Sequence, residues 1–165
     1  MTFNLHKLET YLFNDNESKD LFCLLDGAQL DHEKNIDIEY IYGSPLYLFK
    51  GTYEADAYKY GPILLNLSVL DKEQLASLKE LMNTKDSMIF IKSHLDIQKL
   101  KNRLLENLYL KFDDGSVGIL RFYDPRVLKR FSQIMTNEQK YQFMDGIETI
   151  YFVLNNMSYE IKNHD

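Results

Sequence analysis

A chain of 165 residues is long enough to bury one well-formed core and too short for two independent ones, so a single compact domain is expected over residues 1–165. With 45% hydrophobic and 27% charged residues the chain is neither collagen-like nor disordered, and 7 Gly with 3 Pro leave little for flexible linkers. The formal net charge of -6 argues against nucleic-acid and anionic-membrane partners, both of which reward a basic face that displaces counterions; a protein partner is expected instead.

In chain order, Leu5, Leu8, Tyr11 and Leu12 recur at helical spacing until Asn14-Asp15-Asn16-Glu17-Ser18 breaks the pattern. The start Met1-Thr2-Phe3-Asn4-Leu5-His6-Lys7 does not read as a signal peptide, and no apolar run approaches membrane-spanning length, so a cytoplasmic location is expected. Leu21 to Leu25 is a continuous apolar run ending at Asp26-Gly27, which fits a central strand buried on both faces; the single cysteine, Cys23, lies inside it as a small buried thiol and excludes an intramolecular disulfide. Asp31 to Asn35 reads as a charged loop, and Ile36, Ile38 and Tyr40 alternate as an edge strand.

Gly43-Ser44-Pro45 is a turn signal, followed by the run Leu46 to Phe49; Gly61-Pro62 punctuates before the strand Ile63 to Leu67. Asp71 with Gln74 is a helix start, with Leu75, Leu78, Leu81 and Met82 on one face. Met88 to Ile91 is another buried strand, and Ser93 with Asp96 forms a second capping pair ahead of Leu100, Leu104, Leu105 and Leu108. Asp113-Asp114-Gly115-Ser116 joins Tyr109–Phe112 to Val117–Tyr123 as a β-hairpin, because Gly115 accepts the positive φ a tight turn needs. Asp124-Pro125 caps and opens a helix through Val127, Leu128, Phe131 and Ile134. Thr136 with Gln139 caps one more, ending near Gly146, and Ile147 to Leu154 is the last strand before a flexible polar tail over 155–165. The fold class is therefore α/β in the mixed α+β sense: a central mixed sheet that includes the hairpin at 109–123, flanked by helices.

Catalytic patterns are scarce. His6, His32, His94 and His164 have no paired spacing and only one cysteine is present, so no metal site is expected. Gly115-Ser116-Val117-Gly118 lacks the ending of a phosphate-binding loop, and no nucleophile elbow occurs; no cofactor is expected. Asp26, Asp113, Asp114 and Asp124 each have a local reason in a strand end, a turn or a cap. Lys99-Leu100-Lys101-Asn102-Arg103 reads as a solvated helix face. Arg121, on a strand beside aromatics, needs a fixed anion: a salt bridge to Asp124 or another carboxylate, or a ligand.

The ordered set Leu24-Leu25-Asp26-Gly27-Ala28-Gln29, Leu46 to Gly51 with Thr52 and Glu54, Gly61-Pro62, Ser93 with the helix through Arg103-Leu104-Leu105, Asp114-Gly115, and Arg121-Phe122-Tyr123-Asp124-Pro125-Arg126-Val127-Leu128 resembles the type VI secretion adaptor family. That family was long known only as a domain of unknown function. The resemblance runs from about residue 21 to about 147, and the Arg-Phe-Tyr-Asp-Pro-Arg block is its most specific part. It implies a non-enzymatic cytoplasmic chaperone that binds an effector and brings it to the VgrG spike protein, with no catalytic residues. The chain departs from the family after Gln29, where a longer helix is often found, and it ends soon after the last helix, where many members carry a further C-terminal lobe.

On this reading Tyr53, Tyr58, Tyr60, Arg121, Tyr123 and Arg126 are the candidate partner-binding residues, with an apolar groove beside the hairpin as the docking place. Asp26, Gly27, Gly61, Pro62, Gly115, Asp124 and Pro125 form the structural motif. Two other classes stay open: a toxin-neutralising binding protein, and a small enzyme with a site assembled from Asp26, His94 and Arg121.

Overall fold

A strand that is apolar on both faces has to lie between two layers, and Leu21–Asp26 sets the plane of this molecule. The computed structural model describes residues 2–13, 19–30 and 37–163. In chain order the elements are β1 (Thr2–Phe3), α1 (Leu5–Phe13), β2 (Leu21–Asp26), α2 (Ile38–Tyr42), β3 (Leu46–Tyr47), β4 (Pro62–Asn66), α3 (Lys72–Thr84), β5 (Met88–Lys92) and α4 (Ile97–Leu108). They continue with β6 (Tyr109–Lys111), β7 (Val117–Ile119), α5 (Pro125–Ile134), α6 (Asn137–Phe143), β8 (Thr149–Leu154) and β9 (Met157–Lys162). Among the described residues seven strands form one sheet in the order β1-β9-β8-β5-β2-β4-β3, while β6 and β7 pair only with each other.

Alternation along the strands splits the interior in two. Phe22, Leu24, Leu64, Ile89, Ile91, Ile150 and Phe152 point to one side, where Leu100, Leu104 and Leu108 of α4, Leu128 of α5 and Phe143 of α6 cover them. Leu21, Cys23, Leu25, Ile63, Leu65, Met88 and Phe90 point to the other, against Leu8 and Leu12 of α1, Ile38 and Tyr42 of α2, and Leu78 and Met82 of α3. Leu24 is fully buried, and its truncation to Ala would cost about 2–5 kcal/mol. Cys23 is buried as expected, and that burial pushes its thiol pKa well up.

The α+β class is as expected, but the sheet is antiparallel at every pairing, not mixed. The reason lies in β4–α3–β5: its two strands run the same way, yet β2 is inserted between them and opposes both. The hairpin does form, but outside the large sheet and with a shorter second arm. Ile38 to Tyr40 belongs to a helix, not an edge strand, because the Asp37 carboxylate caps the amides of Glu39 and Tyr40. Asp96 alone caps α4, accepting from Gln98 and Lys99, whereas buried Ser93 donates its hydroxyl to the Gly146 carbonyl at 2.6 Å. The expected polar tail is largely strand: β9 pairs with β8 along its length and with β1, burying Tyr159 and Ile161. The expected loop at 31–35, Ile36 and the break at 14–18 lie outside the described residues.

Candidate functional site

Asp26 is the last residue of β2 and its side chain is fully buried. Its backbone N–H donates to the Ser87 carbonyl at 2.7 Å. One carboxylate oxygen accepts the Ala28 N–H at 3.1 Å, capping the short 3-10 turn Gly27–Gln29. The other accepts Arg121 Nη2 at 2.9 Å, so two motifs separated along the chain are joined by an ion pair. Burial raises the Asp26 carboxyl above its ordinary pKa, and the Arg121 charge offsets only part of that. Arg121 itself is 43% exposed on its side chain, with the guanidinium 5.7 Å from the Tyr123 ring centroid.

Arg121 thus has its carboxylate, but it is Asp26 rather than Asp124. Asp124 is committed elsewhere: it caps α5 through the Arg126 N–H at 2.9 Å and takes the Arg126 guanidinium on both oxygens, at 2.9 and 2.7 Å. Burial pushes the Asp124 carboxyl up, but the Arg126 hydrogen bonds outweigh it and hold the group below its usual range. Pro125 occupies the first turn of α5, as its missing N–H allows.

Gly27 and Gly61 lock the remaining motifs to this joint. The Gly27 N–H donates to the Gly61 carbonyl at 3.0 Å, and Asp26 lies opposite Pro62 in the β2–β4 register. A Cβ on Gly27 would sit 2.1 Å from the Lys59 carbonyl oxygen and 2.7 Å from that of Gly61; one on Gly61 would sit 2.1 Å from the Phe49 ring. Only glycine permits these approaches.

The hairpin is the opposite kind of surface. Tyr109 faces Ile119 and Lys111 faces Val117 across the ribbon, while Leu110 and Gly118 share the other side with Phe112, whose ring lies over Gly118. Gly115 makes the turn at φ +82°. Leu110, Phe112, Val117 and Ile119 are all exposed, Val117 at 64%. Between the first of these faces and the Thr52–Glu54 turn lies an open groove of about 580 Å³, lined by Thr52, Tyr53, Glu54, Tyr109, Val117 and Ile119. The Tyr109 hydroxyl donates to Glu54 Oε2 at 2.6 Å and the Thr52 hydroxyl to the same oxygen at 3.0 Å, which fixes the turn to the ribbon. Those hydrogen bonds, the Tyr109 one foremost, hold the Glu54 carboxyl below its ordinary pKa. The Tyr53 ring stands wholly in solvent on the rim.

Of the candidate partner residues, only Tyr53 lines this groove. Tyr60 is 55% exposed. Tyr58 is packed edge-on against Tyr47 with centroids 4.9 Å apart, under the Lys50 ammonium at 4.6 Å. Tyr123 is 2% exposed and belongs to the core, because the turn after Arg121 directs its ring inward beside Phe122. Tyr123 is thus turned away from solvent, whereas Tyr58 stays half-buried. Of the residues considered for an enzyme, Asp26 and Arg121 pair but His94 does not join them: it binds Asp20 Oδ2 at 3.0 Å and Glu148 Oε2 at 3.3 Å, next to the Leu21 end of β2, whereas Asp26 ends the other. Among the described residues no group of three His, Cys, Asp or Glu side chains could hold a metal ion. The basic run in α4 is not merely solvated, since Arg103 reaches the carbonyls of Gln142 and Asp145 and pairs with Glu106 at 2.7 Å.

Tyr109, Val117 and Ile119 line the groove and are not among the expected contact residues. The available signal was a short hairpin with apolar residues at alternate positions on both arms and no third strand beside it in sequence. A family model described as a domain of unknown function (DUF4123) matches residues 21–142. Neither the curated proteins nor the solved structures give a match. Among the described residues no helix is long and apolar enough to cross a membrane.

Proposed function

The chain belongs to the DUF4123 family, and from that premise we propose that it is a cytoplasmic adaptor that binds a type VI secretion effector, the VgrG spike protein, or both, and loads the effector for secretion. The role is escort, without a catalytic step, cofactor or metal. The observation that carries it is the apolar groove between the Thr52–Glu54 turn and the hairpin: Tyr53, Val117 and Ile119 are held in solvent by a rigid frame, and a partner would desolvate them at little ordering cost. The Asp26–Arg121 and Asp124–Arg126 pairs are the frame in this reading. The net charge of -6 favours partner segments that are neutral or basic.

Calorimetric titration of the purified chain with a VgrG spike protein and a type VI effector encoded beside it tests the proposal. Saturable binding of at least one is expected, and no binding to either overturns it.

A further inference from the structure

The groove has an edge as well as a face. Antiparallel ribbons alternate pairs that exchange hydrogen bonds with pairs whose N–H and C=O point outward. Here Leu120 N donates to Leu108 O at 2.8 Å and Phe112 N to Ser116 O at 2.9 Å, which makes 108/120, 110/118 and 112/116 the bonded pairs. The N–H and C=O of Val117 and Ile119 therefore point out of the ribbon, and among the described residues nothing is hydrogen-bonded to them. Natural edges are blunted by charge, proline or a bulge. The β6 edge carries exposed Lys111; β7 is Val117-Gly118-Ile119, with none of these devices.

We propose that β7 is completed by an extended segment of the partner protein, which adds as a third strand to the ribbon. The inference rests on the groove being the docking surface and states how it is used. The outward groups of Val117 and Ile119 supply two donors and two acceptors spaced two residues apart, a pattern that matches an extended backbone and not a helix, whose own groups are already paired. Side chains at every second position of the incoming strand fall beside Val117 and Ile119, under Tyr53, so those positions are apolar. The tip of the ribbon carries Asp113 and Asp114, both exposed, so the residue at that end is basic or neutral and never acidic.

A random peptide library displayed on phage is the probe, panned against the full chain. Peptides with apolar residues at alternate positions are expected to be enriched, and to bind Ile119→Pro about tenfold more weakly, since that change removes an outward N–H and no ladder bond. Val117→Thr, which keeps its N–H, should retain binding, and the melting temperature of Ile119→Pro should match the parent. If the proline variant unfolds, amide hydrogen exchange on the parent decides: bound peptide should slow exchange at Val117 and Ile119. No enriched pattern, equal binding by a folded Ile119→Pro, or unchanged exchange at both amides overturns the proposal. A spike protein and effector that both fail to bind would overturn the secretion reading and leave this result standing.

Discussion

At the Asp26 end of the sheet both buried carboxylates are matched to a guanidinium, while at the hairpin apolar side chains face water beside an unpaired strand edge. The two regions share a stretch of chain, because β7 leads within two residues into Arg121. Asp26, Gly27, Gly61, Arg121 and Asp124, which carry much of the family resemblance, hold the sheet end together, whereas Val117 and Ile119 of the hairpin stand exposed. In the proposed function the motif marks the frame, and a partner would make contact beside it.

The sharpest way to break the frame is Gly27→Ala. Its Cβ would overlap two carbonyl oxygens and strain the Gly27–Gly61 hydrogen bond, so a loss of about 3 kcal/mol or failure to fold is expected in denaturant titration. Arg121→Ala comes next. It leaves the Asp26 carboxylate buried with only the Ala28 amide, and because Arg121 is nearly half exposed, water recovers part of the loss; about 2 kcal/mol is expected, with Arg121→Lys intermediate.

Asp124→Asn is smaller, about 1 kcal/mol at neutral pH from the weakened cap and ion pair. It also carries a pH signature. Because the folded Asp124 pKa lies below its unfolded value, its contribution is present above about pH 4 and is lost as pH falls through the folded value. Asp26 acts in the opposite sense: its raised pKa gives a contribution that is present at low pH and lost as pH rises through the folded value. Asp124→Asn should therefore flatten the acid limb of the stability profile, as followed by circular dichroism across acid titration. Tyr53→Ala should change stability least, within about 0.5 kcal/mol, since its side chain is fully exposed on the groove rim.

Much of the frame was legible. Asp71 with Gln74 and Thr136 with Gln139 form the capping boxes their spacing implies, and Asp124-Pro125 starts α5. What was not legible depends on distance along the chain. Nothing local tells Arg121 to choose Asp26 over the nearer Asp124, because that choice is made by the fold, which brings the end of β2 to within 2.9 Å of the Arg121 guanidinium. Nor does the alternation in β7 say whether its apolar face is covered: the same pattern fits a strand in the main sheet, and only the topology leaves it bare. The segment after Asn155 looked like a tail because Asn155 and Asn156 are polar, yet their positive φ values of 51° and 60° make the tight turn that returns the chain as β9.

If the frame supports and the hairpin binds, affinity should change at fixed stability when the hairpin alone is altered. Ile119→Asp places a charge in the groove without touching the Asp26 joint. Titrated against the spike protein or effector that binds the parent chain, it should lose at least about tenfold in affinity while its melting temperature stays at the parent value. Parent-like affinity of a folded Ile119→Asp would place the contact elsewhere and rule out the hairpin as the binding surface.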